Sequence, residues 1–472
     1  MRLRDLAGID SDSDVTCVSI DHRRVAPGCL FGAFEGARFN GEDFIPEAIE
    51  RGAVAVVARP GVEVPGAALI ADERPRRRFA ELAARVMAPF PGTAVAVTGT
   101  NGKTSTVEMT RQLWRMAGHR SASIGTLGVT TSDDQVSTGL TSPDIVTFLS
   151  NMAGLKKLGI SHVAYEASSH GLDQYRSEGV PVAAAAFTNF SRDHLDYHQT
   201  MDSYFAAKMR LVDEVVAADG TAVVWTDDPR SGEVIEHVRR RGLKLLTVGR
   251  AGETIRLVSQ TPSPLGQVLV LSHEGGKEQK LALPLIGAYQ AANVLVAAGL
   301  VLATGGTWAT TFTGMGRLAP VRGRLERAVI TPAGAPVYVD YAHTPDAIEA
   351  AIAALRPHVE GKLIIVFGAG GDRDQGKRPD MGRVASRLGD VVIVTDDNPR
   401  SEDPALIRAE IMAAAEGAIE VADRRAAIGR AIEVARKGDI ILLAGKGHET
   451  GQIVGDRVLP FDDAEVAREM AA

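Results

Sequence analysis

The sequence predicts an α/β fold in which parallel sheets are covered by helices. Short, nearly continuous apolar runs recur along the chain and are typical of strands buried on both faces. Between them lie segments with apolar residues spaced three and four apart, as amphipathic helices require. Alternating strands and helices favour parallel sheets, and 472 residues suffice for about three domains of roughly 150 residues each.

Composition and charge exclude several classes of protein. The chain is 45% hydrophobic and 24% charged, which is ordinary for a globular protein and unlike a disordered or collagen-like one. No stretch approaches the roughly 18 apolar residues of a membrane span. The first residues have no apolar segment after their arginines, so we expect no signal peptide and a cytoplasmic protein. The net charge of −7 disfavours nucleic-acid binding, which usually needs a concentrated basic surface.

Two cysteines, Cys17 and Cys29, lack CxxC spacing and clustered histidines. We therefore expect neither structural zinc nor a disulfide framework.

The first ninety residues mix short strands with turns. One helix is predicted where Phe79, Leu82 and Val86 share a face, and it ends before Pro89. The segment Pro89–Gly92 cannot continue a helix, so we place a domain boundary there. The predicted strands are Cys17–Ile20, Cys29–Phe34, Val54–Val57 and Ala67–Ile70.

The middle of the chain opens with the buried strand Thr93–Thr98, followed by a glycine loop and a helix that ends at Gly118. Further buried strands are predicted at Val163–Tyr165, Ala183–Phe187 and Thr221–Trp225, and the alternating residues 254–283 indicate an antiparallel extension.

The last 150 residues repeat the pattern with four buried strands, each leading into Asp, Gly or His residues. Because ligands gather beyond the C-terminal ends of parallel strands, these four strand ends predict one shared cleft. The predicted strands are Val337–Val339, Leu363–Phe367, Val391–Val394 and Ile440–Leu443.

The strongest local motif is Gly99-Thr100-Asn101-Gly102-Lys103-Thr104, between a predicted strand and a predicted helix. Such a loop directs backbone N–H groups and a helix N-terminus at phosphate oxygens, with Lys103 as a point charge and Thr104 available to Mg²⁺. It is not a strict Walker A motif, because Val97 stands where that motif requires glycine.

Glu166 and His194 follow two further predicted strands. A carboxylate and an imidazole at these positions could hold a divalent cation beside a phosphate. Taken alone, helix caps and satisfied polar networks are the favoured explanation of these two residues.

Nine segments of the chain together resemble the Mur ligase family in order and spacing. They are GTNGKTS, EASSHGLDQYR, TNFSRDHLDYH, the Tyr204 to Lys208 segment, GRLE, VDYAHTPDA, GAGGDRDQGKRP, DDNPR and GKGHET. The resemblance covers nearly the whole chain, and the combination is specific although each motif alone is not.

The resemblance implies three domains: a small N-terminal α/β domain for the UDP end of a nucleotide-sugar substrate (residues 1–90), a central P-loop-type parallel-sheet ATPase domain (91–320) and a C-terminal Rossmann-like α/β domain for an amino acid (321–472). The implied reaction joins meso-2,6-diaminopimelate to the D-Glu of UDP-MurNAc-L-Ala-D-Glu through an acyl phosphate, a cytoplasmic step of peptidoglycan synthesis. ATP is the implied cosubstrate, with two Mg²⁺ ions. The implied partners are small molecules only, and a monomer is expected.

The resemblance also assigns roles to residues. Lys103, Lys208, His194 and Glu166 are the implied catalytic residues, and Lys208 is implied to be carbamylated. A carbamate is carboxylate-like, so it can hold Mg²⁺ together with Thr104, Glu166 and His194, which a cationic lysine cannot.

The implied ATP contacts are Gly99, Thr100, Asn101, Gly102, Lys103, Thr104, Ser105, Asn293, Arg324 and Asp340. The implied contacts to the UDP-sugar peptide are His22, Thr141, Ser142, Ser168, Gln174 and Arg176. The implied contacts to diaminopimelate are Arg373, Asp397, Asn398, Pro399, Arg400, Gly445 and Glu449.

Arg400 favours diaminopimelate over lysine, because its guanidinium can meet the extra carboxylate with a bidentate fork. His22 is a departure, since the family usually has serine there near the uridine diphosphate. A lysine-adding ligase and a folylpolyglutamate-type ligase are the alternatives of the same class. From other classes, a P-loop regulatory NTPase gives Lys208 and Arg400 no role, and the intact catalytic set argues against an inactive scaffold.

Overall fold

The structure, a computed structural model, describes residues 1–36, 39–132, 135–136, 141–264 and 266–472. The chain forms two compact units. The first comprises Met1–Leu257, Ser272–Lys277 and Ala292–Gly314, and the second comprises Val258–Leu271, Glu278–Ala291 and Met315–Ala472. Each unit is therefore assembled from three separate stretches of chain.

The N-terminal part of the first unit is a four-stranded parallel sheet in the order β1-β2-β3-β4. Its strands are β1 (Cys17–Ser19), β2 (Cys29–Gly32), β3 (Ala53–Ala58) and β4 (Ala68–Ala71), and its helices are α1 (Leu3–Ala7), α2 (Ile45–Glu50) and α3 (Pro75–Met87). Helix α3 buries Phe79 and Leu82 as its spacing predicts, and Val86 packs against the same core from a partly buried position.

The two cysteines correct the sequence analysis. Cys17 and Cys29 form a disulfide, because they are register partners on the adjacent strands β1 and β2. Their spacing in the sequence carries no sign of this pairing.

The main sheet of the first unit places β5 between β9 and β10, all three parallel. Its strands run in the order β12-β11-β10-β5-β9-β6-β7-β8. They are β5 (Thr93–Thr98), β6 (Ser121–Gly125), β7 (Gly128–Thr130), β8 (Gln135–Val136), β9 (His162–Glu166), β10 (Val182–Phe187), β11 (Val216–Trp225) and β12 (Lys244–Gly249). The surrounding helices are α4 (Lys103–Met116), α5 (Ile145–Lys157), α6 (Ser169–Asp173), α7 (Leu195–His198), α8 (Met201–Arg210) and α9 (Ser231–Arg241).

After β12 the chain forms β13 (Ile255–Ser263), β14 (Gly266–His273), β15 (Gln279–Leu283), α10 (Ala288–Ala303) and α11 (Trp308–Met315). Strands β14 and β15 pair antiparallel, as predicted for this segment, whereas β13 pairs parallel with β12.

The second unit contains a six-stranded sheet in the order β16-β17-β21-β18-β19-β20. Only β16 runs antiparallel to its neighbour. The strands are β16 (Arg324–Ile330), β17 (Pro336–Asp340), β18 (Leu363–Phe367), β19 (Val391–Val394), β20 (Ile419–Glu420) and β21 (Ile440–Ala444). A hairpin follows, β22 (Gly451–Val454) and β23 (Arg457–Pro460), and the helices are α12 (Pro345–Leu355), α13 (Lys377–Leu388), α14 (Pro404–Met412), α15 (Arg424–Val434) and α16 (Asp463–Met470).

The predicted fold class is confirmed, since parallel sheets with helices packed against them form both units. Among the described residues no helix has both the length and the apolar character to cross a membrane. The domain boundaries near residues 90 and 320 stay predictions.

Candidate active site

The glycine loop lies where the sequence predicts it, between β5 and the N-terminus of α4. Gly99 and Gly102 have φ angles of +142° and +84°, which side-chain-bearing residues rarely adopt. The loop is held from the neighbouring strand end, because Asn189 Oδ1 accepts from the Asn101 N–H at 2.8 Å. The backbone N–H groups at the start of α4 and the helix dipole therefore face one fixed point, which suits an anion.

Asn293 lies against this loop. A Cβ atom at Gly102 would collide with Asn293 Oδ1, so the two residues are in close contact. The structure thus brings Asn293, one of the implied ATP contacts outside the glycine motif, to the phosphate loop. Thr104 and Ser105 are buried in the first turn of α4.

Two lysines converge on one carbonyl of the loop. Lys103 Nζ donates to Gly99 O at 3.0 Å and to Thr100 O at 2.7 Å, and Lys208 Nζ donates to Gly99 O at 2.8 Å. Lys208 is 1% exposed, and its Nζ lies 4.3 Å from the centre of the Tyr204 ring. Lys208 therefore lies beside the phosphate loop, and its catalytic role stays a prediction.

The ammonium form of Lys208 is disfavoured. Burial, and then repulsion by Lys103, hold the pKa of Lys208 well below its ordinary 10.5, and only Asp193 acts in the opposite direction. No described residue forms an ion pair with it. A neutral amine is the nucleophilic form of lysine.

Glu166 ends β9, directly beside Val97 in the register of β5 and β9. Its carboxylate is 2% exposed and accepts from the Thr126 N–H at 2.7 Å and from Thr126 Oγ1 at 3.2 Å. Within the described chain no cation pairs with this buried carboxylate. A buried carboxylate without a cation is costly, which fits a site that receives a positive ion.

His194 is more exposed to solvent than Glu166. It sits at φ +52° before α7, its side chain is 43% exposed, and its Nε2 lies 3.5 Å from Asp193 Oδ2. Its ring packs edge-on against His170 at 4.8 Å.

The donor types of the predicted metal site fit Mg²⁺. Glu166 and a carbamate on Lys208 would supply oxygen ligands, and Thr104 a hydroxyl oxygen, all of which this hard cation prefers. The residues described here contain no group of three or more His, Cys, Asp and Glu side chains that could hold a metal by themselves. The carbamate would therefore be an essential part of the ligand set.

Five of the six residues predicted to bind the UDP-sugar peptide form one polar network. Ser168 Oγ donates to Ser142 Oγ at 2.9 Å, and Arg176 Nη1 donates to Ser142 O at 3.1 Å. Arg176 also donates through Nη2 to Gln174 Oε1 at 2.7 Å. Thr141 Oγ1 shares a 3.0 Å hydrogen bond with Thr126 Oγ1, the residue that also holds Glu166.

The sixth residue, His22, lies apart on a short 3₁₀ turn. Its ring stacks on Phe44 at 4.3 Å, and Nε2 is 3.2 Å from Glu47 Oε2. A pocket of about 170 Å³ lies beside Gln174 and Arg176. The other residues that line it are Ile20, Phe34, Arg76, Asp144 and Ile145.

In the second unit, Arg324 and Asp340 are partners on the paired strands β16 and β17. Asp340 is buried and accepts from the Leu325 N–H at 2.7 Å. Burial raises the pKa of Asp340 to about 6, although Arg324 partly opposes this. The Arg324 guanidinium lies 4.7 Å from the centre of the Tyr341 ring.

The residues predicted to bind the amino acid come together at the ends of β18, β19 and β21. Asn398 Nδ2 donates to Glu449 Oε2 at 2.8 Å, and Arg400 Nη1 donates to Gly371 O at 2.7 Å. Asp397 and Pro399 are buried between them, and Gly445 has φ +112° with its Cβ position 3.0 Å from Asp397 Oδ2. Arg373 is exposed and donates to Asp372 O.

Arg400 has the left-handed φ of +52°, which is unfavourable for an arginine. The hairpin holds it there, since the Arg400 N–H donates to Ile453 O at 3.0 Å and Gly455 N–H donates to Arg400 O at 2.7 Å. The backbone strain is therefore supported by two hydrogen bonds.

Sequence reasoning missed two residues of these sites. Lys446, inside GKGHET, is fully buried among Asp397, Asn398 and Glu449. Asn189, inside TNFSRDH, holds the phosphate loop. Both stand in motifs that were found, but their side-chain contacts depend on which strand ends meet.

A glycine loop at the N-terminus of a helix, with two lysines beside it and a buried carboxylate at the end of the neighbouring strand, is typical of phosphate-binding α/β proteins. Three family models match the chain: the catalytic domain of the Mur ligase family over residues 14–103, the Mur ligase middle domain over 97–301, and the Mur ligase glutamate ligase domain over 323–447. The chain belongs to the Mur ligase family, which confirms the resemblance seen in the sequence.

Two similar proteins have the same name. The chain is 59% identical over 464 residues to UDP-N-acetylmuramoyl-L-alanyl-D-glutamate–2,6-diaminopimelate ligase of Zymomonas mobilis, covering 98% of this chain and 95% of that protein. It is 49% identical to the ligase of the same name from Bradyrhizobium diazoefficiens, covering 100% and 99%.

Solved structures agree with this fold. A structure of a ligase with that name matches with a TM-score of 0.74 and 30% identity, covering 100% of this chain and 98% of the other. MurF ligase from Thermotoga maritima in complex with ADP matches with a TM-score of 0.62 and 20% identity, covering 98% of both chains, and supports the fold alone.

Proposed function

We propose that the chain is an ATP-dependent ligase that joins meso-2,6-diaminopimelate to the D-Glu of UDP-MurNAc-L-Ala-D-Glu. The observation that carries the proposal is its 59% identity, over nearly the whole length of both chains, to a ligase named for this reaction. Such a reaction needs a site for ATP and a site for the amino acid. The phosphate loop in one unit and the residues around Arg400 in the other supply them.

In this proposal each of three residue ranges binds a different substrate. Residues 1–90 bind the UDP end of the substrate, 91–320 bind ATP, and 321–472 bind the incoming amino acid. The enzyme acts as a cytoplasmic monomer on small-molecule substrates.

The first chemical step activates the D-Glu carboxylate. A carboxylate oxygen attacks the γ-phosphorus of ATP, the bond to the β-phosphate oxygen breaks, and an acyl phosphate and ADP result. The N–H groups of the loop Gly99–Ser105 bind the phosphates, and Lys103 exchanges its loop carbonyls for phosphate oxygens. Arg176, with Ser142 and Ser168, binds the substrate peptide and orients its carboxylate.

Lys208 enters this step as a carbamate. Its neutral amine attacks carbon dioxide, a C–N bond forms, and the nitrogen loses a proton, which leaves a group with a carboxylate's charge and oxygen ligands. The burial that lowers the pKa of Lys208 increases the fraction of neutral amine that can react in this way.

Two Mg²⁺ ions are proposed, held by Thr104, Glu166, His194 and the Lys208 carbamate. When bound there, Mg²⁺ neutralises phosphate charge and polarises the transferring phosphoryl group.

In the second step the amine of the amino acid attacks the acyl carbon, the bond to phosphate breaks, and the amine loses a proton as the amide forms. Arg400 Nη1 donates to Gly371 O, so the other N–H groups of the guanidinium remain for the distal carboxylate of diaminopimelate. Lysine lacks that carboxylate and would leave the guanidinium without its partner. A site built around such a group can reject the analogue by up to roughly 10⁴-fold.

The test is ADP release by the purified protein with ATP, Mg²⁺ and UDP-MurNAc-L-Ala-D-Glu, with diaminopimelate, L-lysine or no amino acid. We expect ADP release and tripeptide formation only with diaminopimelate. A preference for lysine would keep the ligase and refute the Arg400 argument, whereas ADP release indifferent to the amino acid and the nucleotide-sugar peptide would indicate a regulatory NTPase.

The carbamate has its own test. Lys208→Ala removes the metal-binding group but leaves space for a small carboxylate, so ligation should be lost and partly restored by added short carboxylic acids. Lys156→Ala, at an exposed lysine of the same unit, is the control. Unchanged ligation by the Lys208→Ala protein would exclude the carbamate role.

A further inference from the structure

Lys446 is one of the most deeply buried charged residues in the second unit, with 0% of its surface exposed. Its Nζ lies 3.6 Å from Asp397 Oδ1, 3.2 Å from Asn398 Oδ1 and 3.4 Å from Glu449 Oε2. All three partners belong to the proposed amino-acid site, while Lys446 itself has no role in the reaction described above. We call these four residues the Lys446 cluster.

Lys446 fixes the orientation of the Asn398 amide. Asn398 Oδ1 accepts from Lys446 Nζ at 3.2 Å and from the Ile453 N–H at 2.9 Å. Because the oxygen receives both donors, the Nδ2 group faces Glu449, to which it donates at 2.8 Å. Reversal of the amide would place two N–H donors against a cation and a backbone N–H.

The same contacts orient Glu449. Its Oε2 atom is engaged by both Asn398 and Lys446, and within the described chain Oε1 accepts no hydrogen bond. The Glu449 side chain is 31% exposed, whereas that of Lys446 is completely covered. Glu449 is therefore partly open to solvent with one carboxylate oxygen unused, whereas the covered Lys446 can act on a bound amino acid only through its neighbours.

Charge gives Lys446 a second effect. The cluster contains two carboxylates and one cation, so it carries one net negative charge, which matches one ammonium group. Without Lys446 it would carry two negative charges, and Asp397 Oδ1, which is buried and accepts no hydrogen bond from a described residue, would lose the cation 3.6 Å away.

We propose that Lys446 is a positioning residue that sets the amino-acid specificity of the ligase. It holds Asn398 and Glu449 in the orientation that receives an ammonium group, and it limits the negative charge that this group meets. The distal end of diaminopimelate is a zwitterion, whereas that of lysine is a cation. Excess negative charge would therefore favour lysine, and Lys446 prevents that excess.

This inference rests on the proposed function, and three variants test it. Lys446→Met removes the hydrogen bond and the charge, Lys446→Gln keeps an N–H donor for Asn398 but removes the charge, and Lys446→Arg keeps the charge. The KM for diaminopimelate should rise about tenfold or more in Lys446→Met, because a hydrogen bond to a charged group is lost. The KM for ATP should stay within about threefold, because the phosphate loop is unchanged.

The ratio of kcat/KM for diaminopimelate to that for L-lysine is the decisive measurement. We expect it to fall about tenfold or more in Lys446→Met and Lys446→Gln and to be largely retained in Lys446→Arg, since one uncompensated charge changes binding by at least that factor in a buried site. Arg408→Met is the matched control, because Arg408 is a buried cation of the same unit whose carboxylate partners, Asp396 and Glu420, lie outside the cluster. It should leave the ratio unchanged.

Two results would overturn the inference. One is an unchanged specificity ratio in folded Lys446→Met and Lys446→Gln, and the other is an equal loss of ratio in Lys446→Arg or Arg408→Met. Absence of diaminopimelate-dependent ADP release in the unmodified protein would instead refute the proposed function, so the two failures are distinguishable.

Discussion

Replacing Lys208 with methionine should change how the stability of the protein depends on pH. The folded protein buries the amine completely, gives it one hydrogen bond to Gly99 O, and places Lys103 on the same carbonyl. The pKa of Lys208 in the folded state is therefore well below its ordinary 10.5. The unfolded chain has no such burial, so it keeps the ordinary value.

The direction of the pH dependence follows from the number of protons that the folded and unfolded states bind at Lys208. Between the lowered pKa and 10.5, the unfolded chain holds one more proton at this residue than the folded chain does. The free energy of unfolding therefore rises with pH, by up to about 1.4 kcal/mol per pH unit from this residue alone. Lys208→Met has no titrating group here, so its stability should lack that increment.

The assay is urea unfolding between about pH 7.5 and 9.5, in buffer freed of carbon dioxide so that the amine stays unmodified. Tryptophan fluorescence can report it, since Trp114 is buried in α4 of the same unit. The free energy of unfolding of the wild type minus that of Lys208→Met should increase with pH. Lys156→Met, at an exposed position, should show the pH dependence of the wild type. Equal slopes for wild type and Lys208→Met would mean that the folded protein keeps an ammonium at Lys208, and the neutral-amine argument would be refuted.

Two further substitutions test the two sites. Arg400→Ala should raise the KM for diaminopimelate about 10- to 100-fold by removing a charged fork, with the KM for ATP unchanged in the same initial-rate assay; equal loss of both would indicate misfolding. Gly102→Ala should weaken ATP binding about tenfold or more by calorimetric titration, because it combines a left-handed backbone cost of about 1–2 kcal/mol with a collision against Asn293. Gly118→Ala has a similar φ of +90° but open space around its Cβ position, so it should lose stability and keep ATP affinity; weakened ATP binding in both would contradict the collision argument.

The local parts of the site could be predicted from the sequence. The run Thr93–Thr98, the glycines of the loop and the periodic helix that follows encode a strand, a turn and a helix within about twenty residues. The structure has β5, the loop and α4 at these places, with the helix ending at Met116 rather than at Gly118. Nothing distant in the chain is needed for this result.

The long-range parts could not be predicted in the same way. A lysine between two glycines, as in Gly445-Lys446-Gly447, normally indicates an exposed loop. Its burial follows from the adjacency of β18, β19 and β21, which brings Asp397 and Glu449 to it. The bond between Cys17 and Cys29 likewise depends on strand register, which spacing alone does not reveal.

The left-handed backbone at Arg400 affects which residues evolution would favour at this position. Glycine and asparagine adopt that conformation at less cost, so either would relax the loop by about 1 kcal/mol. Variation filtered for folding alone would therefore not preserve this arginine, and only a requirement for its guanidinium retains it. Arg400→Gly gains this backbone contribution but loses the hydrogen bond from Nη1 to Gly371 O, which is worth about as much, so its stability should change little while ligation weakens.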